Sequence, residues 1–267
     1  MLKSTMQDWP LTLRALFAHG RAIHGSSQVV TAEAARKRRS TFDEVARRVE
    51  RLAAALARLG VRPGDGVGSF CWNTQEHLEA YLAVPAMGAV LHTINIRLFT
   101  AEIAHIVNHA RDRFILVDDC LVPALAAAAP RFDTVERFIV IGDGDARPLG
   151  DVLRYDALLE GPDAGFAWPE IDERAAAVAC YTSGTTGPPK GVVYSHRSCF
   201  LHAMGVCSGA ELGLTERDRV LPIVPMFHAN AWGLPYAAWL AGSDLILPGR
   251  HPTSATIARA IAEERAT

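Results

Sequence analysis

The residues best equipped for chemistry lie in one run, Tyr181-Thr182-Ser183-Gly184-Thr185-Thr186-Gly187-Pro188-Pro189-Lys190-Gly191. Its three glycines let the backbone turn its amides toward one point, and four hydroxyls (Thr182, Ser183, Thr185, Thr186) add rotatable donors around it. Lys190 adds a positive point charge. Converging N–H groups form an anion-binding nest and a lysine neutralises developing charge, so the run reads as a cradle for polyphosphate. It is not a Walker A loop, which puts glycine directly before the lysine where this chain has Pro189. A plain Gly/Ser/Thr linker would need neither the lysine, nor two prolines in series, nor β-like runs on both sides.

A second constellation sits in Val220 to Ser243, which holds no Asp, Glu, Lys or Arg and is long enough to span a bilayer core. Pro222, Pro225 and Pro235 each remove a backbone donor there, so the stretch reads as buried core or a pocket wall rather than a membrane span. Phe227, His228 and Trp232, with Asn230 between them, are its candidate pocket residues. On residue type alone His228 is either a satisfied core histidine or a group that orients a carboxylate. Trp232 is either core packing or a movable pocket wall, and Tyr236 and Trp239 read as core.

The elements that must position these groups alternate. Thr41 with Glu44 forms a capping box ahead of Phe42, Val45, Val49, Leu52, Leu56 and Leu59, a helical stripe that Gly60 ends. Strand-like runs follow at Val67 to Cys71, Phe114 to Val117, Phe138 to Ile141 and Ala175 to Tyr181, and Val192-Val193-Tyr194 lies just beyond the glycine-rich run. Helical patterns are expected at Gln75 to Tyr81, breaking or kinking before Pro85, and at Ala101 to His109, Val122 to Ala129 and Val152 to Leu159. This order predicts an α/β fold with mostly parallel sheets. The Gly- and Pro-rich stretch from Gly161 to Pro169 marks the expected boundary between a first α/β subdomain, 1–168, and the start of a second, 169–267.

Composition removes other classes. Acids number 29 and bases 27, a net charge of -2 that provides no general field for nucleic acid or anionic lipid. The basic run Arg36-Lys37-Arg38-Arg39 reads as a solvated turn. Five cysteines, an odd number with no Cys-x-x-Cys pair, argue against a disulfide framework or a zinc site, and His196 and His202 make no metal pair with them. With no secretory apolar stretch before Arg14, a reducing, cytoplasmic setting is expected.

The run from Thr182 to Gly191 resembles the phosphate-loop signature of the AMP-forming acyl-CoA synthetase, adenylation-domain and luciferase superfamily, with every motif position filled. Thr41-Phe42-Asp43-Glu44, Trp72-Asn73, His77-Leu78-Glu79-Ala80-Tyr81, Gly88 to Asn95 and Pro225 to Tyr236 are similar to its medium- and long-chain fatty-acyl-CoA synthetase branch. The resemblance implies stacked α/β subdomains and an ATP-dependent fatty-acid–CoA ligase. A carboxylate attacks the α-phosphate of ATP, pyrophosphate leaves, and the thiol of CoA displaces AMP. It places Thr182, Ser183, Gly184, Thr185, Thr186, Gly187 and Lys190 on the ATP phosphates, with Thr182 a contact for Mg²⁺ and Lys190 an electrostatic helper in catalysis. Phe227, His228 and Trp232 become acid-binding residues, with His228 also catalytic and Trp232 a gate on the acyl channel. His92, Asn95 and Arg97 are expected to be structural support.

An aryl-CoA ligase, a peptide-synthetase adenylation domain and a non-catalytic binding fragment are the alternatives. A homodimer is expected by resemblance. The superfamily's later motifs, a Tyr-Gly-x-Thr-Glu stretch, a ribose-binding Asp and a mobile C-terminal domain, are not found before Thr267, which falls in an expected helix carrying Ile257 and Ile261. A truncated chain without turnover of its own is the expectation.

Overall fold

The structure is a computed structural model, and it describes residues 2, 4–33, 37–160, 165–182 and 189–267. Helix α1 (Leu13–His24) leads into strands β1 (Gln28–Ala32) and β2 (Lys37–Thr41), then α2 (Phe42–Arg58), β3 (Gly66–Phe70), α3 (Gln75–Ala86), β4 (Val90–Thr93) and α4 (Thr100–Ala110). There follow β5 (Asp112–Asp118), α5 (Val122–Ala128), β6 (Arg137–Ile141), β7 (Val152–Arg154), α6 (Tyr155–Leu159), β8 (Ala176–Thr182) and β9 (Lys190–Ser195). The last elements are α7 (His196–Cys207), β10 (Arg219–Val220), α8 (Leu234–Ala241), β11 (Asp244–Leu247) and α9 (Ser254–Glu264).

These strands make two sheets. One has seven strands in the order β7-β6-β5-β3-β4-β8-β9, parallel except for the terminal β9, and the other has four in the order β10-β11-β1-β2. In the four-stranded sheet β1 runs parallel to β11 and antiparallel to β2. The mixed α/β class is as expected, but strand pairing ignores the boundary at residue 168. Strands β8 and β9 complete the sheet of β3–β7, and β10 and β11 join β1 and β2 across most of the chain.

The alternation of β5 shows the layering, since successive side chains of a strand face opposite ways. Phe114 and Leu116 point into a core shared with α1, α2, α3, α7, α8 and the four-stranded sheet, whereas Ile115 and Val117 meet Ile103, Ile106 and Val107 of α4 and Leu125 of α5. Helix α3 lies wholly in the shared core, every residue buried. Trp239 anchors the same layer: its indole stacks on Phe42 with ring centroids 4.1 Å apart and donates to Phe17 O at 3.1 Å. Gly20 makes room for it, because a Cβ there would lie 2.3 Å from the indole ring.

Four local expectations change. Helix α3 continues through Pro85 instead of breaking before it. The amide that Pro85 lacks would have bonded Tyr81 O, and that carbonyl is satisfied by Tyr236 Oη–H at 3.0 Å. Val152 to Leu159 divides into β7 and the short α6, because Val152 to Arg154 finds an open edge beside β6. Of the basic run, Arg36 lies outside the described residues and Lys37–Arg39 are no solvated turn: they belong to β2, where Arg38 grips Glu76 bidentately at 2.5 and 2.8 Å, and Lys37 and Arg39 both pair with Glu264. Helix α9 ends at Glu264, before the last residues, with Arg265 in the left-handed region (φ 53°). The capping box of Thr41 and Glu44 is present as expected, and all five cysteines are free.

Candidate active site

The glycine-rich run follows the carboxyl end of β8. Strand β8 is held on one side by β4, with Thr93 opposite Cys180, and on the other by β9, with Thr182 opposite Lys190. The two ends of the glycine-rich run are therefore brought face to face by an antiparallel ladder. Thr182 and Lys190 are both exposed there, and Ser183, Gly184, Thr185, Thr186 and Gly187 lie outside the described residues. Gly191 lets the ladder close: a Cβ on it would sit 3.1 Å from the Tyr181 ring, whose hydroxyl is hydrogen-bonded to His109 Nδ1 at 2.6 Å.

The uncharged stretch forms the second part. After β10 the chain runs irregularly to His228 and then makes a turn of reversed hand, with φ of 44° at Ala229, 52° at Asn230, 48° at Ala231 and 55° at Trp232. Each such non-glycine residue costs roughly 1–2 kcal/mol, so the turn persists only because neighbours hold it. Asn230, a residue type that tolerates this region, is buried and accepts from Thr93 Oγ1 at 3.1 Å, while Trp232 O bonds His202 Nε2 at 3.1 Å.

The result is a cleft of about 310 Å³ between α7 and the turn, lined by Tyr194, Ser198, Cys199, His202, Asn230 and Trp232 among others. Trp232 stands half exposed at it (51%). Burial raises the pKa of the Cys199 thiol to about 12, so it is an inert wall, and burial likewise raises the Tyr194 hydroxyl. Strand β9 joins the two parts, since Lys190 starts at the cradle and Tyr194 ends at the cleft.

Phe227 and His228 are not brought to that cleft. Phe227 is buried against Trp72, centroids 6.0 Å apart, and beneath the Arg97 guanidinium at 5.6 Å. His228 is exposed beside it. Arg97 therefore props Phe227, and Asn95 Oδ1 accepts from Arg97 N at 3.0 Å. His92 is buried with Nδ1 2.6 Å from Asp112 Oδ2; burial raises that carboxyl's pKa and the His92 charge opposes the rise.

Sequence reading missed Asn73, Thr93 and Asn230 as a fastening set, whose partners are far apart in the chain. Among the described residues no three His, Cys, Asp or Glu side chains are placed to hold a metal. No helix among them is long and apolar enough to cross a membrane.

Comparison with known proteins decides the family. The profile described as AMP-binding enzyme matches residues 21–267. The chain belongs to the AMP-binding enzyme family. Within that family it is 40% identical over 268 residues to the medium-chain-fatty-acid–CoA ligase of Ectopseudomonas oleovorans, covering 99% of this chain and 49% of the relative. It is 45% identical to the long-chain-fatty-acid–CoA ligase of Thermus thermophilus, covering 92% and 44%. The chain thus spans about half the length of the curated relatives it matches.

The AMP-binding fold recurs at low identity. A long-chain-fatty-acid–CoA ligase from Archaeoglobus fulgidus superposes with a TM-score of 0.85 at 23% identity, over 100% of this chain and 53% of that one. A benzoate CoA ligase from Burkholderia xenovorans does so with 0.79 at 23%, over 96% and 49%. A fold shared by a fatty-acid and a benzoate ligase does not choose between acids.

Proposed function

We propose that this chain supplies the phosphate clamp and one wall of the acid pocket of an ATP-dependent fatty-acid–CoA ligase. The carrying observation is the β8–β9 ladder, which presents Thr182 opposite Lys190 at the cradle and ends at the Trp232 cleft. The named relatives in two fatty-acid ligases support fatty acids over aryl acids. In this reading the acid's carboxylate attacks the α-phosphorus of ATP, the bond to the β-phosphate oxygen breaks, and pyrophosphate departs. The thiol of CoA then displaces AMP to form the thioester.

Thr182 and Ser183 to Gly187 hold the β- and γ-phosphates through hydroxyls and amides, and Lys190 offsets the charge on the departing group. Trp232 gates the acyl cleft, while His228, exposed outside that cleft, orients the carboxylate and Phe227 steadies the backbone before it by packing on Trp72. Thr182 would offer a hydroxyl to Mg²⁺ brought by the nucleotide, and the ion would supply neutralisation of phosphate charge. A cytoplasmic setting and a homodimer go with this reading.

The test is ATP and octanoate binding to this chain by calorimetry, with benzoate as the competing acid. Octanoate is expected to bind in preference to benzoate, and Lys190→Ala to weaken ATP by about tenfold or more, as expected for losing a charge-assisted contact. Unchanged ATP affinity in Lys190→Ala, or preference for benzoate, would overturn the assignment. Pyrophosphate exchange by the chain alone should be absent, and robust exchange would show that these residues suffice for adenylation.

A further inference from the structure

The stretch from Pro222 to Trp232 belongs to no sheet, yet its middle is held by one side chain from another part of the fold. Asn73, 4% exposed, lies just past the carboxyl end of β3. Its Nδ2 donates to Pro222 O at 2.9 Å and to Val224 O at 3.1 Å, and its Oδ1 accepts from Met226 N at 2.7 Å. Its own carbonyl accepts from Gly249 N at 3.0 Å, just after β11. One amide therefore reads three successive alternate residues of the stretch, both its donors and its acceptor being used.

Neighbours complete the grip. Tyr81 Oη–H donates to Met226 O, and Trp72 packs against Phe227. Nothing in Asn73 faces the cleft, whose lining begins at Tyr194 and ends at Tyr236. The stretch it holds leads directly into His228 and the reversed turn. A carboxamide suits this task because it alone among small side chains offers two donors and an acceptor in one plane.

We propose that Asn73 is a positioning residue, setting the place of His228 and Trp232 through the Pro222–Met226 backbone without touching substrate. The proposal rests on the fatty-acid reading above only for its ligand, not for its geometry. Asn73→Asp keeps the size but turns the two donors into an acceptor facing two carbonyls. Asn73→Ser retains one contact at most, and Asn73→Ala retains none.

The experiment follows the Trp232 indole N–H resonance in the full chain, identified by its loss in Trp232→Phe, together with octanoate and ATP affinities and thermal midpoints. The indole resonance is expected to shift or split in the order Ser, Asp, Ala. Octanoate affinity should fall by roughly tenfold to a hundredfold, as for a pocket wall displaced by about an ångström, with ATP affinity unchanged. If Asn73→Ala does not fold, Asn73→Ser carries the same comparison. An unmoved indole resonance overturns the proposal, as does a parallel loss of ATP and octanoate affinity that tracks the thermal midpoint, which is the signature of a merely structural residue. Parent chain that binds no octanoate refutes the fatty-acid reading, while the resonance still decides the role of Asn73.

Discussion

The two halves of the candidate site are fastened in opposite ways. The cradle end of the β8–β9 ladder is an edge, with Lys190, Gly191, Val192 and Val193 of β9 all exposed and held mainly by backbone pairing. The cleft wall is held by buried side chains reaching across the chain: Asn73 to Met226, Thr93 to Asn230, Tyr236 to Tyr81. A loop proposed to bind through amides and hydroxyls needs its ends brought together and little else. A wall that must present particular side chains from irregular backbone needs each of its polar groups satisfied from outside. The contrast predicts that changes on the wall side cost stability, whereas changes on the cradle side cost ligand affinity alone.

The strongest test of that contrast is Trp239→Ala, which removes the indole of α8 stacked on Phe42 and should cost about 3–5 kcal/mol in denaturant unfolding, with a smaller loss showing that the layer collapses around it. Next comes pH. His77 on α3 is buried, bonded to Ser69 Oγ at 3.0 Å and Trp72 O at 2.9 Å, and burial pushes its pKa down to about 4. Below pH 6.5, its ordinary value, the unfolded chain takes up a proton that the folded chain refuses until about pH 4.

Wild-type stability should therefore fall relative to His77→Gln as pH drops through that window, by on the order of 3 kcal/mol, and a pH-independent difference would refute the neutral buried state. Thr93→Val leaves Asn230 Oδ1 buried without its donor and should cost about 1–3 kcal/mol, read by chemical denaturation. The smallest stability effect belongs to the cradle: Lys190→Ala should stay within about 0.5 kcal/mol of the parent in the same experiment while losing ATP affinity. A large loss there would erase the contrast.

Most of the elements were legible because their causes are local. The capping box at Thr41, the apolar period of α2 and the short apolar runs of β3, β5, β6 and β8 each carry their own signal. The glycine-rich run stood out for the same reason, being one continuous stretch of sequence. What escaped reading was settled by distant partners. Pro85 stays helical because a tyrosine 155 residues from Tyr81 replaces the lost hydrogen bond. Lys37–Arg39 become a strand because Glu76 and Glu264 wait for their charges. Asn73 carries no local sign of what it holds, and its partners lie 149 to 153 residues away. The boundary near residue 168 followed composition, which reports where a chain turns but not which strand it will pair with next.

The threading of the four-stranded sheet has a consequence for how the chain is born. Gln28 N is bonded to Asp244 Oδ1, 216 residues further on, and β1 lies directly against β11. During synthesis at ~5–20 residues per second, the β1–β2 hairpin emerges roughly ten to forty seconds before the strand that covers its open edge. Closing so long a loop is slow, and an uncovered strand edge invites the wrong neighbour in the meantime. Nascent chains should therefore depend on folding helpers until β11 has emerged, and β1 should be among the last of the described strands to become protected from solvent exchange.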